Sequence, residues 1–507
     1  MLRLLALAAF ALAARASDAV SLSGVVVNTV TGAPVRYARV WLLPASAETE
    51  SDGAGAFQFT DLRPGTYAVM AAKTGFTTAK GYERGYAVTL TQSRGRFEVG
   101  LAPLSSIRGR IRDEDGDPVE NATVLVLQSA VERGHRRTRL VNATITNDTG
   151  EYRVAMLPAG EYLIKASGQF SRRSYYSGNQ PRMGTSDNFA PLYFAEPVPL
   201  APGAEGRADF LVAMQPGHTI RGRIDNLTPH ANADLQLSRG DEDLGITRSA
   251  LELATGQFEI HGALDGHYRL RAYQSGKDGE WRLAERDVEV HGADVEGVAL
   301  SLGTPASVKG KVRVEGQHGD AQPEFFLFLE MQDSALALNE EMASPMSGEI
   351  ENGAFEVESV FPGKYWLDFH AGDGLYVSAA RMGDRDLLAS PEMVVDAGTP
   401  ELEVVLRADG GSVSGTVASD AGPAFIVLVP QACNRPAEIA NVEGDHSFSI
   451  RDVAPGSYRL YAWKWPSAVE YGSPATLCAL ARGGTPVEVK AGEDSNVQVR
   501  KLSEEAK

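Results

Sequence analysis

The sequence predicts an all-β protein, built as a tandem array of five β-sandwich domains. Three observations support this prediction. A short apolar segment with a central glycine occurs five times, two aromatic residues ten positions apart follow each segment, and a glycine-containing turn precedes the second aromatic residue. The central glycines recur at intervals of 85 to 113 residues, and each interval suits a sandwich of about seven short strands.

The first element of each module is a strand with a glycine at its centre. Apolar and polar residues alternate around this glycine, as in Ile107–Ile111, which predicts a strand with one buried face. A glycine inside a strand indicates a bulge or a close approach of a neighbouring backbone. The five central glycines are Gly24, Gly109, Gly222, Gly310 and Gly415.

The second element is an aromatic pair flanking a turn, which we interpret as a hairpin with both rings in the core. We expect positive φ at the turn glycine, because that conformation disfavours a Cβ atom. The aromatic pairs are Phe57 and Tyr67, Tyr152 and Tyr162, Phe258 and Tyr268, Phe355 and Tyr365, and Phe448 and Tyr458. The turn glycines are Gly65, Gly160, Gly266, Gly363 and Gly456.

These repeats divide the chain into a leader and five modules joined by short linkers, so we expect neighbouring modules to abut as a semi-rigid rod. The boundaries are 1–16 for a signal peptide, 20–103, 106–216 with an aromatic insert at 169–195, 218–303, 306–408 and 411–503.

Composition limits the classes of function. With 507 residues the chain exceeds one core, and 43% hydrophobic residues suffice for folded domains. The net charge of −18 argues against a nucleic-acid partner, because phosphate binding requires a cationic surface. Solubility is the simpler explanation of this acidity.

The first residues predict export. Arg3 precedes an apolar run from Leu4 to Ala14, and Ala14-Arg15-Ala16 provides a small-residue cleavage site. The apolar run is too short to span a bilayer. A retained membrane anchor is the alternative, and we expect a secreted or periplasmic mature protein without a transmembrane segment.

The two cysteines, Cys433 and Cys478, both lie in the last module. Export permits a disulfide between them, and the chain-entropy model gives such a bridge roughly 4 kcal/mol of stabilisation. Two separate thiols are the alternative. No C-x-x-C motif occurs, so a redox role lacks support.

The motifs of the first two modules resemble those of carboxypeptidase regulatory-like domains. That family combines S/V-x-G-x-V, T-D-x-x-G-x-F and L-x-P-G-x-Y segments. The matching residues are Gly24, Asp52, Gly55, Phe57, Pro64, Gly65 and Tyr67 in the first module, and Gly109, Asp148, Gly150, Tyr152, Gly160 and Tyr162 in the second. The resemblance implies a prealbumin-like or Ig-like sandwich of the carbohydrate-binding-like fold.

Modules three to five keep the glycine, the aromatic residue and the final Gly-x-Tyr, but lack the aspartate. The segments 189–194 and 458–463 also resemble parts of long secreted acidobacterial proteins that are built from such modules. Related domains serve as accessory domains of peptidases, as starch-binding-like modules and as adhesin stalks, so the resemblance implies no single function.

No catalytic motif is present. The sequence lacks H-x-x-E, H-E-x-x-H, G-x-S-x-G and G-x-x-x-x-G-K, which indicates that the protein is not an enzyme and needs no cofactor or metal. The acidic run from Asp113 to Asp117 suits either a calcium ligand set or a hairpin tip with an Asp-Gly turn.

Two aromatic clusters are the candidate binding sites, because a sugar ring lies flat on an aromatic face. Each cluster is either an exposed platform for carbohydrate or a packing contact within the protein. The candidate carbohydrate-binding residues are Tyr461, Trp463, Trp465 and Tyr471 in the last module, and Tyr175, Tyr176 and Tyr193 in the insert of the second.

The leading hypothesis is a non-catalytic secreted or periplasmic binding and scaffolding protein, whose partner is a polysaccharide or another envelope component. One alternative is a structural spacer that contacts proteins through its edge strands. Another is an accessory subunit of a separately encoded peptidase or glycosidase.

Overall fold

The computed structural model describes residues 19–79, 85–168, 187–228, 233–239, 242–243, 251–275, 281–303, 306–316, 323–332, 350–351, 353–396, 398–418, 424–442, 446–464 and 469–501. The predicted leader lies outside these ranges. Within them, no helix combines the length and the apolar character that crossing a bilayer requires.

The chain divides into two compact units, Met1–Ser105 and Ser106–Lys507. The first unit is a single sandwich. Its strands are β1 Val20–Asn28, β2 Arg39–Leu43, β3 Ala47–Glu50, β4 Ala56–Leu62, β5 Gly65–Ala72, β6 Phe76–Thr78, β7 Tyr86–Leu90 and β8 Arg94–Pro103. One sheet has the order β4-β1-β8-β6 and the other has the order β3-β2-β5-β7.

The second sandwich contains a long hairpin, formed by its second and third strands. Its strands are β9 Ser105–Asp113, β10 Thr123–Glu132, β11 His135–Ile145, β12 Glu151–Leu157, β13 Gly160–Ser167, β14 Leu192–Tyr193, β15 Val198–Leu200, β16 Glu205–Arg207 and β17 Phe210–Val212. The glycine strand β9 lies between β12 and β16, and β17 also pairs with it. The other sheet has the order β11-β10-β13-β14, and β15 also pairs with β13.

The third sandwich repeats the arrangement, with seven strands in its described residues. They are β18 His218–Asp225, β19 Ala233–Arg239, β20 Glu242–Asp243, β21 Gln257–Ala263, β22 Gly266–Ser275, β23 Trp281–Val290 and β24 Val295–Ser301. The sheets have the orders β21-β18-β24 and β20-β19-β22-β23.

The fourth sandwich has one wide sheet and one narrow sheet. Its strands are β25 Ala306–Glu315, β26 Phe325–Met331, β27 Ile350–Glu351, β28 Ala354–Val360, β29 Gly363–Ala371, β30 Tyr376–Met382, β31 Arg385–Asp386, β32 Glu392–Val395 and β33 Leu402–Arg407. The wide sheet has the order β27-β28-β25-β33-β30-β31, and the narrow sheet has the order β26-β29-β32.

The fifth sandwich adds a short helix to one sheet. Its elements are β34 Gly411–Ala418, β35 Phe425–Pro430, β36 Glu438–Asn441, β37 Ser447–Val453, β38 Gly456–Trp463, α1 Pro474–Leu480, β39 Thr485–Val489 and β40 Asp494–Arg500. The sheets have the orders β37-β34-β40 and β36-β35-β38-β39. Proline at the start of α1 suits the first helical turn, whose N–H groups lack intrahelical partners.

Five separate apolar clusters fill the sandwiches, so the tandem-sandwich prediction is confirmed. Each cluster combines residues from both sheets of its own sandwich. The glycine strand has the same neighbours in each sandwich: an antiparallel strand that carries the first aromatic residue, and a parallel strand that closes the sandwich.

The central glycines lie where neighbouring backbones approach closely, which is one of the two arrangements that the sequence indicated. A Cβ atom on Gly24 would lie 2.2 Å from the carbonyl oxygen of Phe97 and 2.5 Å from the Phe57 ring. On Gly109 the Cβ atom would lie 1.8 Å from the Ala208 carbonyl oxygen. The absent side chain therefore leaves room for the first aromatic ring and for the parallel closing strand.

The aromatic element is not a hairpin, although all ten rings are buried as predicted. In the first sandwich β4 pairs with β1, whereas β5 pairs with β2 and β7 in the other sheet. The turn is therefore a corner between sheets, and the sequence alone did not separate a corner from a hairpin because both need two strands and a turn.

The second aromatic residue closes this corner. The hydroxyl of Tyr67 donates a hydrogen bond to the carbonyl oxygen of Arg63, four residues earlier, at 2.6 Å. The same bond recurs in the other sandwiches, which identifies a tyrosine corner. The other donors and acceptors are Tyr162 and Pro158, Tyr268 and Leu264, Tyr365 and Phe361, and Tyr458 and Ala454.

The expected positive φ at the turn glycine is wrong for the first two sandwiches, where Gly65 and Gly160 have no positive φ. Gly266, Gly363 and Gly456 do have positive φ, at 150°, 159° and 157°, and the last two lie near extended backbone. The reason is that each glycine is the first residue of an extended strand rather than the central residue of a turn.

The position assigned to Asp148 in the second module belongs to its neighbour. Asp52 Oδ1 accepts hydrogen bonds from the N–H groups of Ala54 and Ala56. In the second sandwich Asn147 Oδ1 takes this role toward Thr149 and Glu151. An amide oxygen caps the turn as well as a carboxylate does.

Candidate functional site

The β10–β11 hairpin forms an arm in the second unit of the chain. Strand β10 pairs with β13 only from Thr123 to Leu127, whereas its pairing with β11 continues to Glu132 and His135. In the distal half of the arm, β10 and β11 therefore pair only with each other among the described residues. A two-residue turn closes it, with positive φ at Arg133 and Gly134, which matches the right-handed twist of a hairpin.

The arm tip contacts the fourth sandwich through Trp366 on β29. The His135 ring stacks on the Trp366 ring, with centroids 4.0 Å apart and planes 7° apart. The Arg137 guanidinium lies 4.6 Å from the centroid of the same ring, which is a cation–π contact. One indole therefore receives two side chains of the arm.

Arg137 also forms polar contacts with β26. Its Nη2 donates to the carbonyl oxygen of Met331 at 3.0 Å and lies 3.2 Å from Glu330 Oε1. Glu330 and Trp366 are direct partners across the β26–β29 ladder, so adjacent residues of one sheet face hold a single guanidinium. This arrangement fixes both the position and the orientation of the arm.

The arm tip also contacts the fifth sandwich. The N–H of Gly472 donates to the Gly134 carbonyl oxygen at 2.9 Å, and Arg136 Nε lies 2.5 Å from Glu470 Oε1. A Cβ atom on Gly134 would lie 2.5 Å from the Gly472 nitrogen and 2.8 Å from the Tyr471 ring. The two backbones therefore pack without side chains between them.

We call this contact region the junction; it comprises the arm tip 133–137, Glu330, Met331, Trp366 and residues 470–472. Its central ion pair is largely removed from water, because the side chains of Arg137 and Glu330 are each only 16% exposed. Burial lowers the pKa of Arg137 and raises the pKa of Glu330. Desolvation therefore offsets much of their attraction.

Burial sets the protonation state of the histidine at the junction. Burial first, and then the charge of Arg137, lower the pKa of His135 to about 4, so its stacked ring is neutral at pH 7. His370, on the same face of the fourth sandwich, has its pKa raised mainly by a hydrogen bond to Asp368 at 2.9 Å.

An open groove of about 440 Å³ lies on the same sheet of the fourth sandwich. Its walls include Phe326, which is 39% exposed, and Phe328, whose ring meets His370 edge-on at 5.3 Å. Glu324 and Asp373 also line it. The groove thus combines aromatic faces with carboxylates and an imidazole.

The predicted aromatic stripe on β38 is buried, which corrects its interpretation as a platform. Tyr461 and Trp463 are each 8% exposed and stack on one another at 4.8 Å. They do share one face of the strand, but that face packs against α1 and β35. The Tyr461 hydroxyl donates to the Leu480 carbonyl oxygen at 2.6 Å, so a sugar cannot lie on either ring in this conformation.

The other predicted site residues are dispersed. Tyr471 is half-buried at the junction, and its ring lies 5.7 Å from that of Phe425. Tyr193 is 45% exposed, and the Lys165 ammonium lies 5.7 Å from its ring centroid. Tyr175, Tyr176 and Trp465 lie outside the described residues.

The two cysteines are brought together, as free thiols. Cys433 follows β35 and Cys478 lies in α1; both are half-buried. Burial, followed by a hydrogen bond to the Cys478 thiol, raises the pKa of Cys433 to about 11. The disulfide between them therefore stays a prediction, now with the two thiols in contact.

The acidic run of the second module forms a turn. Asp113 Oδ1 accepts hydrogen bonds from the N–H groups of Asp115 and Asp117, and Glu114 accepts one from Met214. Across the described part of the chain, no group of three or more His, Cys, Asp or Glu side chains is arranged to hold a metal ion.

Sequence reasoning missed the junction residues other than Tyr471, which it places in a candidate carbohydrate-binding cluster. The sequence Arg133-Gly134-His135-Arg136-Arg137 does contain a signal, since it places three arginines and a histidine around a turn glycine. Their acceptors lie 194 and 334 residues away in sequence, and no local pattern predicts such a distance.

Two segments, residues 21–93 and 106–192, match the carboxypeptidase regulatory-like domain family. These segments lie in the first two sandwiches, which are therefore similar to carboxypeptidase regulatory-like domains. A relative, Colossin-A of Dictyostelium discoideum, is 27% identical over 161 residues, which is 28% of this chain but only 1% of that protein's length.

Several solved structures also resemble the chain. The minor pilin GBS52 of Streptococcus agalactiae is 13% identical with a TM-score of 0.23, covering 39% of this chain and 97% of its own. The shaft pilin SpaA of Lactobacillus rhamnosus GG is 10% identical with a TM-score of 0.22, over 39% and 97%. The Bacillus anthracis TIE protein is 10% identical with a TM-score of 0.17, over 95% and 68%. The family match, rather than these structures, identifies the regulatory-like sandwiches.

Proposed function

We propose that the protein is a non-catalytic scaffold and binding protein, whose carboxypeptidase regulatory-like and related sandwiches hold a partner in a fixed geometry. The observation that carries this proposal is the junction, where an arm of the second sandwich contacts the fourth and the fifth. Domains that move independently of one another would not need such a contact. A scaffold needs it, because a rigid arrangement of surfaces reduces the entropy lost on binding.

The test removes Arg137. In Arg137→Ala the buried Glu330 loses its counter-charge and Trp366 loses a cation–π partner, so docking of the arm weakens by about 2–3 kcal/mol. Small-angle scattering of the full-length protein should then report a larger radius of gyration than for the wild type.

The matched control is Arg139→Ala on the same strand. Arg139 contacts Gln128 and Glu132 within its own hairpin, so its loss should leave the scattering curve unchanged. Equal curves for the wild type and Arg137→Ala would contradict the scaffold proposal.

A second candidate function is carbohydrate binding at the groove of the fourth sandwich. It is favoured by the exposed Phe326 ring, which offers a flat apolar face to sugar C–H groups, while Glu324 and Asp373 offer acceptors to hydroxyls. Retention on polysaccharide columns should fall at least tenfold in Phe326→Ala. Leu211→Ala, which removes a 69% exposed side chain elsewhere, serves as control, and equal retention of both variants would count against sugar binding here.

We further propose that the protein works in the periplasm or outside the cell, with a polysaccharide or an envelope protein as partner. The predicted leader supports this location. Cell fractionation should recover the protein outside the cytoplasm with a new N-terminus after Ala16, and full-length protein in the cytosol would refute it.

A further inference from the structure

The segment 469–481, which we call the cap, contains α1 and covers the outer face of a sheet in the fifth sandwich. Leu477 and Ala481 of the cap pack with Tyr461 and Trp463 of β38. The same segment presents Glu470, Tyr471 and Gly472 to the arm tip. The arm tip therefore lies between the cap and the residues Glu330, Met331 and Trp366 of the fourth sandwich, and we call this binding surface the socket of the arm.

The apolar cluster holds the cap to the sheet, together with the ring contact between Tyr471 and Phe425. The polar links of the cap to the sheet include the hydrogen bond from Tyr461 to the Leu480 carbonyl oxygen. The helix itself has seven residues, which is too short to be stable without tertiary contacts. A covalent link at this place would restrict the cap and the arm socket together.

Cys433 and Cys478 are placed to make that link. Cys433 lies in the turn after β35, where its N–H donates to the Pro430 carbonyl oxygen at 3.1 Å, and its side chain packs in the cluster beneath the cap. Cys478 lies in α1, directly after the buried Leu477. Each residue is half-buried, so a small oxidant can reach the pair.

We propose that Cys433 and Cys478 form a disulfide that fastens the cap to the fifth sandwich and so holds the socket of the arm. In the reaction, one thiolate attacks a disulfide donor such as oxidised glutathione and releases one thiol. The second cysteine then attacks the mixed disulfide and releases the other thiol, so the two electrons pass to the donor and each cysteine loses a proton.

Burial slows this reaction without preventing it. The attacking group is the thiolate, and burial, followed by the hydrogen bond to Cys478, raises the pKa of Cys433 to about 11. Formation should therefore be faster at alkaline pH or with a thiol oxidase than in neutral buffer. The disulfide is independent of the scaffold proposal, whereas its effect on the arm rests on that proposal.

The first experiment treats the full-length protein with oxidised glutathione at pH 8.5 and digests it with trypsin. A thiol reagent should find two thiols per chain before treatment and none after it. Mass spectrometry should identify the peptide 408–451 linked to the peptide 465–482 of the same chain. Two thiols that persist after treatment, or links between different chains, would overturn the disulfide.

The second experiment measures amide hydrogen exchange in the oxidised and reduced forms. Exchange at the arm tip and in the cap should be at least threefold slower in the oxidised form. A Cys433→Ser, Cys478→Ser protein should exchange like reduced wild type in both conditions. Equal exchange in the oxidised and reduced wild type would overturn the fastening role.

The variant Arg137→Ala separates the two proposals. It removes an arm contact that lies away from the thiols, so it should form the disulfide as readily as the wild type. If it does so while the scattering curve stays unchanged, the disulfide stands and the scaffold proposal fails.

Discussion

At the scale of single residues, the pairing of a glycine with an aromatic ring defines each sandwich. Gly24 lies directly opposite Phe57 in the β1–β4 ladder, and the ring occupies the space that a side chain would take. The sequence predicted a bulge or close backbone approach at the glycine and a buried ring, but not that the two residues pair. It did not predict which sheet each ring belongs to, since that choice depends on packing between sheets.

Gly24→Ala should destabilise the first sandwich by about 2–3 kcal/mol, because overpacking forces the Phe97 backbone or the Phe57 ring to move. Faster amide exchange in the β1 peptides of the full-length protein would report this loss. Gly95→Ala in the same sandwich meets no atom within 4 Å and should leave exchange unchanged. Tolerance of Gly24→Ala would show that the close approach is not required.

The tyrosine corner gives a second prediction at this scale. Tyr67→Phe removes the hydroxyl that bonds the Arg63 carbonyl oxygen and keeps the buried ring, so we expect a loss of about 1 kcal/mol. The exposed Tyr37 provides a control in Tyr37→Phe, which should cost almost nothing. Amide exchange of β5 peptides at increasing denaturant concentration gives an unfolding midpoint for each variant. Equal midpoints for Tyr67→Phe and Tyr37→Phe would show that the corner hydrogen bond does not stabilise the sandwich.

At the scale of elements, the arm illustrates what local sequence cannot reveal. The alternation of side chains and the Arg133-Gly134 turn suffice to predict a hairpin. How far this hairpin extends beyond its pairing with β13 depends on where the sheet ends. The aromatic stripe of β38 is the converse case. Period two placed Tyr461 and Trp463 on one face, whereas the burial of that face by α1 depends on a segment with no strong helical pattern.

Docking of the arm should weaken in acid. The docked His135 has a pKa of about 4, below the usual 6.5 of a free histidine. A lowered histidine pKa stabilises the docked state above pH 6.5, and this contribution disappears as the pH falls from 6.5 to 4. The loss is at most about 3 kcal/mol, and less with solvent screening of a partly exposed ring.

The neighbouring charges modify this profile. Glu330 has a raised pKa, so its protonation in acid acts in the opposite direction, while Arg137 repels and Asp368 and Glu470 attract a protonated His135. Scattering between pH 7 and 4 should therefore show expansion in Glu330→Gln at least as large as in the wild type. In His135→Gln the expansion should be smaller, and an unchanged acid response in that variant would exclude His135 as its source.

At the scale of the whole molecule, the repeat predicted the number of sandwiches but not their mutual contacts. Alternation, turns and core residues are set by neighbours in sequence, and they could be predicted. In the unit 106–507 the arm of the second sandwich contacts the fourth and fifth sandwiches, which are not its neighbours in sequence. The contact has two causes. The hairpin extends beyond its own sheet, and its arginine-rich tip is complementary to a Trp–Glu pair on β29 and β26, which belong to another module.

This contact should make the second, fourth and fifth sandwiches unfold together. Each shares the junction with the others, so loss of one removes binding energy from the rest, as a ligand would. In Trp366→Ala the arm loses its stacking and cation–π partner, and calorimetry of the full-length protein should resolve at least one more transition than in the wild type. Phe326→Ala, on the same sheet but outside the arm contact, should keep the wild-type profile. If the wild type already melts in one transition per sandwich, the junction is too weak to couple them.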